Sequence, residues 1–152
     1  MALSQLPDDF KEFIDSLNAH DVAYLLIGGW AVGLYGNPRA TKDIDFLIAV
    51  DEENLDRLRV ALEEFGAPEV DVAHFRKRGN IFRMGRAPIQ IDILNDADGI
   101  DFSECYRRKT VINIGDTELS VISKEDLVKN KKATGRHGDL ADVQALIDPD
   151  SE

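Results

Sequence analysis

The chain has 152 residues, 43% of them apolar and 31% charged. That is the balance of one ordinary domain with a real core, and it excludes a disordered tail. Eighteen Lys and Arg against 29 Asp and Glu leave a net charge of −11, so general electrostatic affinity for nucleic acid is not expected.

The longest uncharged stretch, residues 22–38, is interrupted by Gly28, Gly29, Gly33, Gly36, Asn37 and Pro38. A lipid-crossing helix needs roughly 20 mostly apolar residues, so no membrane span is expected. The first residues lack the basic and apolar regions of a secretory signal. One cysteine, Cys105, excludes an internal disulfide and a cysteine metal cluster. The expectation is a cytoplasmic protein with a single domain over residues 1–152. Its charge is uneven: residues 1–71 carry a net −10 and residues 92–152 a net −6. Between them Arg76, Lys77, Arg78, Arg83 and Arg86 stand with no acid, a net +5. This basic segment reads either as a solvated hairpin or as a surface for a polyanionic substrate.

In chain order, Phe10, Phe13, Ile14 and Leu17 recur at helical spacing and predict a helix over 8–19. Residues 22–27 are an apolar run ending in Gly28-Gly29, a buried strand entering a tight turn. A short helix is predicted over 31–35. Over 43–50 Ile44, Phe46 and Ile48 alternate with Asp43 and Asp45, which predicts a strand with both acids on one face. Leu55, Leu58, Leu62 and Phe65 predict a helix over 52–65, closed by Gly66. Further strands are predicted over 70–73, 81–84 and 89–94; in the last, Gln90 and Asp92 face away from Ile89, Ile91 and Ile93. Residues 111–114 and 118–121 flank a hairpin at Gly115-Asp116-Thr117. Ser123 and Asp126 form a capping-box pattern for a helix to about residue 135, and Asp139 is expected to cap a last helix through Ile147. The fold class expected is α+β.

Asp43-Ile44-Asp45 is the most informative tripeptide. Carboxylates at i and i+2 of a strand share a face and bring hard oxygens close enough to hold divalent cations. Asp92, polar on an otherwise apolar strand, is placed to supply a third. Gly28-Gly29 between strand and helix lets backbone N–H groups approach a triphosphate. Arg39 and Thr41, just before the acids, are donors suited to phosphate. No Walker A or Gly-x-Gly-x-x-Gly motif occurs. His20, His74 and His137 lack metal spacing and are expected to be surface or structural residues. Trp30 is expected to pack at the helix start.

The combination in LLIGGWAVGLYGNPRATKDIDFLIAV, with IQIDIL downstream, resembles the nucleotidyltransferase superfamily, the polymerase-β-like fold. The likeness extends to small bacterial AbiEii-toxin-like and minimal nucleotidyltransferases through EDLVKNKKATGRHGDLADVQAL. It spans about residues 22–147. The resemblance implies a mixed sheet flanked by helices with a C-terminal helical pair. It further implies transfer of a nucleoside monophosphate from a triphosphate such as ATP to an acceptor hydroxyl, with release of pyrophosphate. By it, Asp43, Asp45 and Asp92 hold Mg²⁺ or Mn²⁺, Asp92 acting as ligand or as general base. Gly28, Gly29, Arg39, Thr41 and Lys131 would face the nucleotide, with Arg136, Asp139 and Asp142 in the same pattern. Gly29 stands where many relatives carry Ser, and Gly138 where many carry Lys. RNA such as tRNA, a protein hydroxyl and a small molecule all remain as acceptors. A second copy or a partner protein could complete the acceptor pocket. The alternative on the same fold is a non-catalytic nucleotide-binding or toxin–antitoxin module.

Overall fold

A computed structural model describes residues 6–36, 43–86 and 89–147. Six strands form one mixed sheet: β1 (Tyr24–Ile27), β2 (Asp43–Ile48), β3 (Ile81–Arg86), β4 (Ile89–Leu94), β5 (Thr110–Ile114) and β6 (Thr117–Val121), in spatial order β3-β4-β2-β1-β6-β5. Six helices accompany them: α1 (Asp8–Ala19), α2 (Gly28–Leu34), α3 (Glu52–Phe65), α4 (Phe102–Arg107), α5 (Lys124–Thr134) and α6 (His137–Ile147). The α+β class and the C-terminal helical pair are as expected. Among the described residues no helix is long and apolar enough to cross a membrane.

The alternation in β2 decides the layering. Ile44, Phe46 and Ile48 are buried, and the Phe46 ring meets Phe13 of α1 edge-on at 5.2 Å; Phe13 in turn meets Phe65 of α3 at 5.2 Å. Helices α1 and α3 therefore cover one face of the sheet, and the face carrying Asp43 and Asp45 is left for other work. The buried Asn54 locks this layer: its amide nitrogen donates to Ala23 O and Ala49 O, and its oxygen accepts from Ala23 N. One side chain thus ties the start of α3 to the chain on either side of the β1–β2 pair. Asp51 caps α3 by accepting from Asn54 N at 3.1 Å, and Gly66 ends it at φ 103°.

Three local expectations are corrected. Residues 70–73 are not a strand; Val72–Arg76 is a 3₁₀ turn. Asp71 Oδ1 accepts from Ala73 N at 3.0 Å, and Val72 and Phe75 are buried three residues apart, the period of that helix. Helix α2 starts at Gly28 rather than at residue 31. Asp139 does not cap α6: it lies inside the first turn, and its carboxylate is taken by other side chains. The sequence reading also passed over α4, whose Asp101 cap accepts from Glu104 N at 3.1 Å. Ser123 caps α5 as expected, accepting from Asp126 N at 3.2 Å.

Candidate active site

Strands β2 and β4 run parallel with Asp43 opposite Gln90, Asp45 opposite Asp92 and Leu47 opposite Leu94. Registered partners in adjacent strands share a face, so Asp92 stands beside Asp45 on the face that α1 and α3 leave uncovered. On the other flank β1 pairs antiparallel with β2, and Ile27 is registered with Asp45. The chain then turns at Gly28, where φ is +74° and a Cβ would lie 2.2 Å from Asp45 Oδ2. Only glycine lets the backbone lie against this carboxylate.

These residues line a cleft of about 550 Å³. Gly28, Gly29, Asp43 and Asp45 form part of its wall, and Asn130, Lys131, Thr134, Arg136 and Asp139 face them from α5, α6 and the turn between. Asp96 and Asp98, after β4, complete an acidic rim. Asp92 is not on the cleft wall; it is buried beside Asp45.

Burial, and the charges of Asp92 and Asp43, push the Asp45 pKa up to about 7 against the opposing pull of Lys131. The Asp92 carboxylate is held from the other side: Arg83 Nε donates to Oδ1 at 3.0 Å and its second nitrogen to Oδ2 at 3.4 Å. Gln90 Nε2 adds a bond to Oδ1 at 3.2 Å.

Lys131, buried, pairs with Asp139 at 3.0 Å and Asp142 at 3.2 Å. Asp139 also accepts from Thr134 Oγ1 at 2.5 Å and Arg136 Nε at 2.9 Å. Burial works to raise the Asp139 pKa, but the hydrogen bonds from Thr134, Arg136 and Lys131 outweigh it and hold this carboxyl well below the usual range. The network fastens α5 to α6 and sets a cation across the cleft from Asp43 and Asp45.

The site residues read from sequence therefore converge, with two exceptions. Arg39 and Thr41 lie outside the described residues. Missed by the sequence reading were Arg83 and Gln90 as partners of Asp92, and Thr134 as a partner of Asp139. Arg83 was legible only as an alternate residue of β3, since nothing local says which carboxylate it meets.

A divalent cation can be tested against this donor set. Carboxylate oxygens from Asp43, Asp45 and Asp92 are the hard ligands such ions take, and the mutual repulsion that lifts Asp45 is what a cation relieves. The residues fit in chemical type. In one respect they fall short: among the described residues no three His, Cys, Asp or Glu side chains are already gathered to hold a metal, and Asp92 is engaged by Arg83.

Trp30, Cys105 and His20 are packed or paired within the fold. Trp30 is buried, with Phe10 against it edge-on at 5.6 Å. Cys105 is buried, and that burial pushes its thiol pKa up, as does neighbouring Asp126. His20 pairs with Glu64. Three cations of the basic segment are paired with acids outside it: Arg76 meets Glu52 at 2.8 Å, Arg78 meets Asp96 at 3.3 Å, and Arg83 meets Asp92 at 3.0 Å.

The comparisons agree with this architecture. Residues 2–147 match the profile of a family described as nucleotidyltransferase of unknown function (DUF6036), and the chain belongs to that family. No curated protein matches it. Among solved structures, the lincosamide antibiotic adenylyltransferase LnuA, lincomycin-bound, superposes with a TM-score of 0.58 at 18% identity, over 93% of this chain and 96% of that one. An antigenic nucleotidyltransferase-like protein from Paracoccidioides brasiliensis gives 0.57 at 17% identity, over 91% and 73%. The antibiotic-resistance factor ANT(2'')-Ia gives 0.58 at 13% identity, over 95% and 83%. At these identities the structures show a shared fold.

Proposed function

From membership of a nucleotidyltransferase family, we propose that this chain transfers a nucleoside monophosphate, with ATP as the leading donor, to an acceptor hydroxyl. The observation that carries this reading is the in-register placement of Asp45 beside Asp92, with Asp43 two residues away, under the Gly28 turn and across a cleft from Lys131. Asp43, Asp45 and Asp92 would hold Mg²⁺ or Mn²⁺, which when bound stabilises negative charge on the reacting oxygens. In the transfer a bond forms from the acceptor oxygen to the α-phosphorus, the α–β bridging bond breaks, and pyrophosphate leaves. Asp92 would receive the hydroxyl proton or act only as a ligand. Gly28 and Gly29 present backbone to the triphosphate. Lys131 and Arg136 supply positive potential where charge builds on pyrophosphate.

For the acceptor, the reading favoured is a hydroxyl-bearing small molecule with cationic groups. Asp98 lines the cleft beyond the catalytic acids, while Arg76, Arg78 and Arg83 of the basic segment, which would have served a polyanion such as tRNA, are paired with acids on the protein. Placement in the AbiEii-toxin-like group, with a toxin–antitoxin role, is the second reading, supported by the resemblance of the Gly-Gly and Asp-x-Asp motifs together with residues 125–146. The direct experiment follows pyrophosphate release from each nucleoside triphosphate with Mg²⁺ and a panel of amino-sugar, amino-alcohol, peptide and tRNA acceptors. Release that Asp45→Asn abolishes supports the assignment. Binding of no triphosphate, with or without Mg²⁺, overturns it. Growth arrest on expressing the wild type but not Asp45→Asn would select the toxin reading.

A further inference from the structure

Strands β3 and β4 pair antiparallel with Arg83 opposite Asp92, and Asp92 is opposite Asp45. One row across the sheet thus reads Arg83, Asp92, Asp45: a cation, then two acids. The next row, Gly85, Gln90, Asp43, brings no arginine. We propose that Arg83 is a positioning residue that latches Asp92. Its guanidinium occupies the carboxylate that a divalent cation shared with Asp45 requires, so that a cation at Asp92 binds only as Arg83 lets go. This rests on the reading of Asp92 as the third carboxylate of the site.

Three observations carry the latch. The contact spans both carboxylate oxygens, at 3.0 and 3.4 Å, the forked geometry that makes arginine–carboxylate pairs strong. Its two halves differ in freedom: the Asp92 side chain is 8% exposed and that of Arg83 63% exposed. Arg83 lies on the edge strand and can return to water at little cost, whereas Asp92 cannot stand uncompensated beside Asp45. Release of the arginine and arrival of a cation are therefore linked. Finally, the cleft wall includes Asp43 and Asp45 but not Asp92, so a cation entering the cleft meets those two acids first, and one at Asp92 needs the arginine displaced. The two are taken up in order.

The test is a Mn²⁺ titration of the full chain, read by electron paramagnetic resonance of the free ion in the presence of a non-hydrolysable ATP analogue. The wild type is expected to show one tight and one weak Mn²⁺. Arg83→Gln should tighten the weak one by about tenfold or more, the order of a charge-assisted hydrogen bond removed from competition. Arg83→Lys, which keeps the charge but loses the fork, should give a smaller gain and carries the test if Arg83→Gln does not fold. Asp92→Asn should cancel the gain in either background. Two equally tight ions in the wild type, or Arg83 variants that leave Mn²⁺ affinity unchanged while Asp92→Asn still removes an ion, would overturn the latch alone. Asp92→Asn without effect in every background would overturn the carboxylate assignment, and the latch with it.

Discussion

Asp45→Asn should abolish transfer and yet make the metal-free protein more stable. In the folded chain Asp45 has its pKa lifted from 3.8 to about 7, first by burial and then by Asp92 and Asp43. The folded state therefore holds a proton that the unfolded chain has already released, and wild-type stability falls as pH rises from about 4 to about 7 and then levels off. The rise from 3.8 to about 7 corresponds to a ceiling of about 4 kcal/mol. Water reaching a carboxylate on the cleft wall reduces this, so we expect about 2 kcal/mol. Asparagine keeps the volume, and its amide N–H replaces the acid proton in the contact with Asp92. For a chain of this length the gain corresponds to a melting temperature higher by about 4–8 °C. The assay is thermal and urea unfolding in EDTA at pH 4, 6 and 8. The gap between variant and wild type should be small at pH 4 and full at pH 8. A variant less stable than wild type at pH 8, or a gap that does not change with pH, would refute the account of three repelling carboxylates.

Gly28→Ala should cost about 2 kcal/mol or more, since it combines a left-handed backbone with a Cβ placed 2.2 Å from Asp45 Oδ2. Its calorimetric titration should show Mg²⁺-dependent ATP binding lost; binding at wild-type strength would show that the turn does not shape the site. Lys131→Met should destabilise by about 3 kcal/mol, because it leaves Asp139 and Asp142 buried without their shared cation; urea unfolding measures this, and a neutral result would mean that water replaces the ammonium. Asp139 has a folded-state pKa below its ordinary 3.8, so its stabilisation is present above that value and lost as pH falls through it. The acid limb of wild-type unfolding between pH 5 and 2 should be steeper than that of Asp139→Asn. Asn54→Ala should cost about 2–3 kcal/mol in chemical denaturation, as it strands backbone groups of Ala23 and Ala49.

Much of this protein was legible in its sequence wherever the governing physics acts over a few residues. Helical spacing in 8–19 and 52–65, the Ser123 cap, and the alternation of acids with Ile44, Phe46 and Ile48 all report on neighbours three, four or two positions away. So does the Gly28-Gly29 turn, and together these carried the resemblance to nucleotidyltransferases, the part of it that the family match bears out. Where a local hydrogen bond outcompeted the apparent pattern, as Asp71 does at Val72–Arg76, the sequence reading went wrong for equally local reasons. Tertiary structure alone decided which distant groups meet. The parallel register of β2 with β4 sets Asp92 beside Asp45 and lifts Asp45 toward neutrality; an antiparallel edge strand brings Arg83 onto Asp92; and the α5–α6 packing buries Lys131 between two aspartates. Tertiary packing likewise sets Arg76, Arg78 and Arg83 of the basic segment against acids elsewhere in the chain. Charge counted along a sequence cannot show this, because an ion pair is fixed by distance in space, and that distance is set by how strands and helices pack.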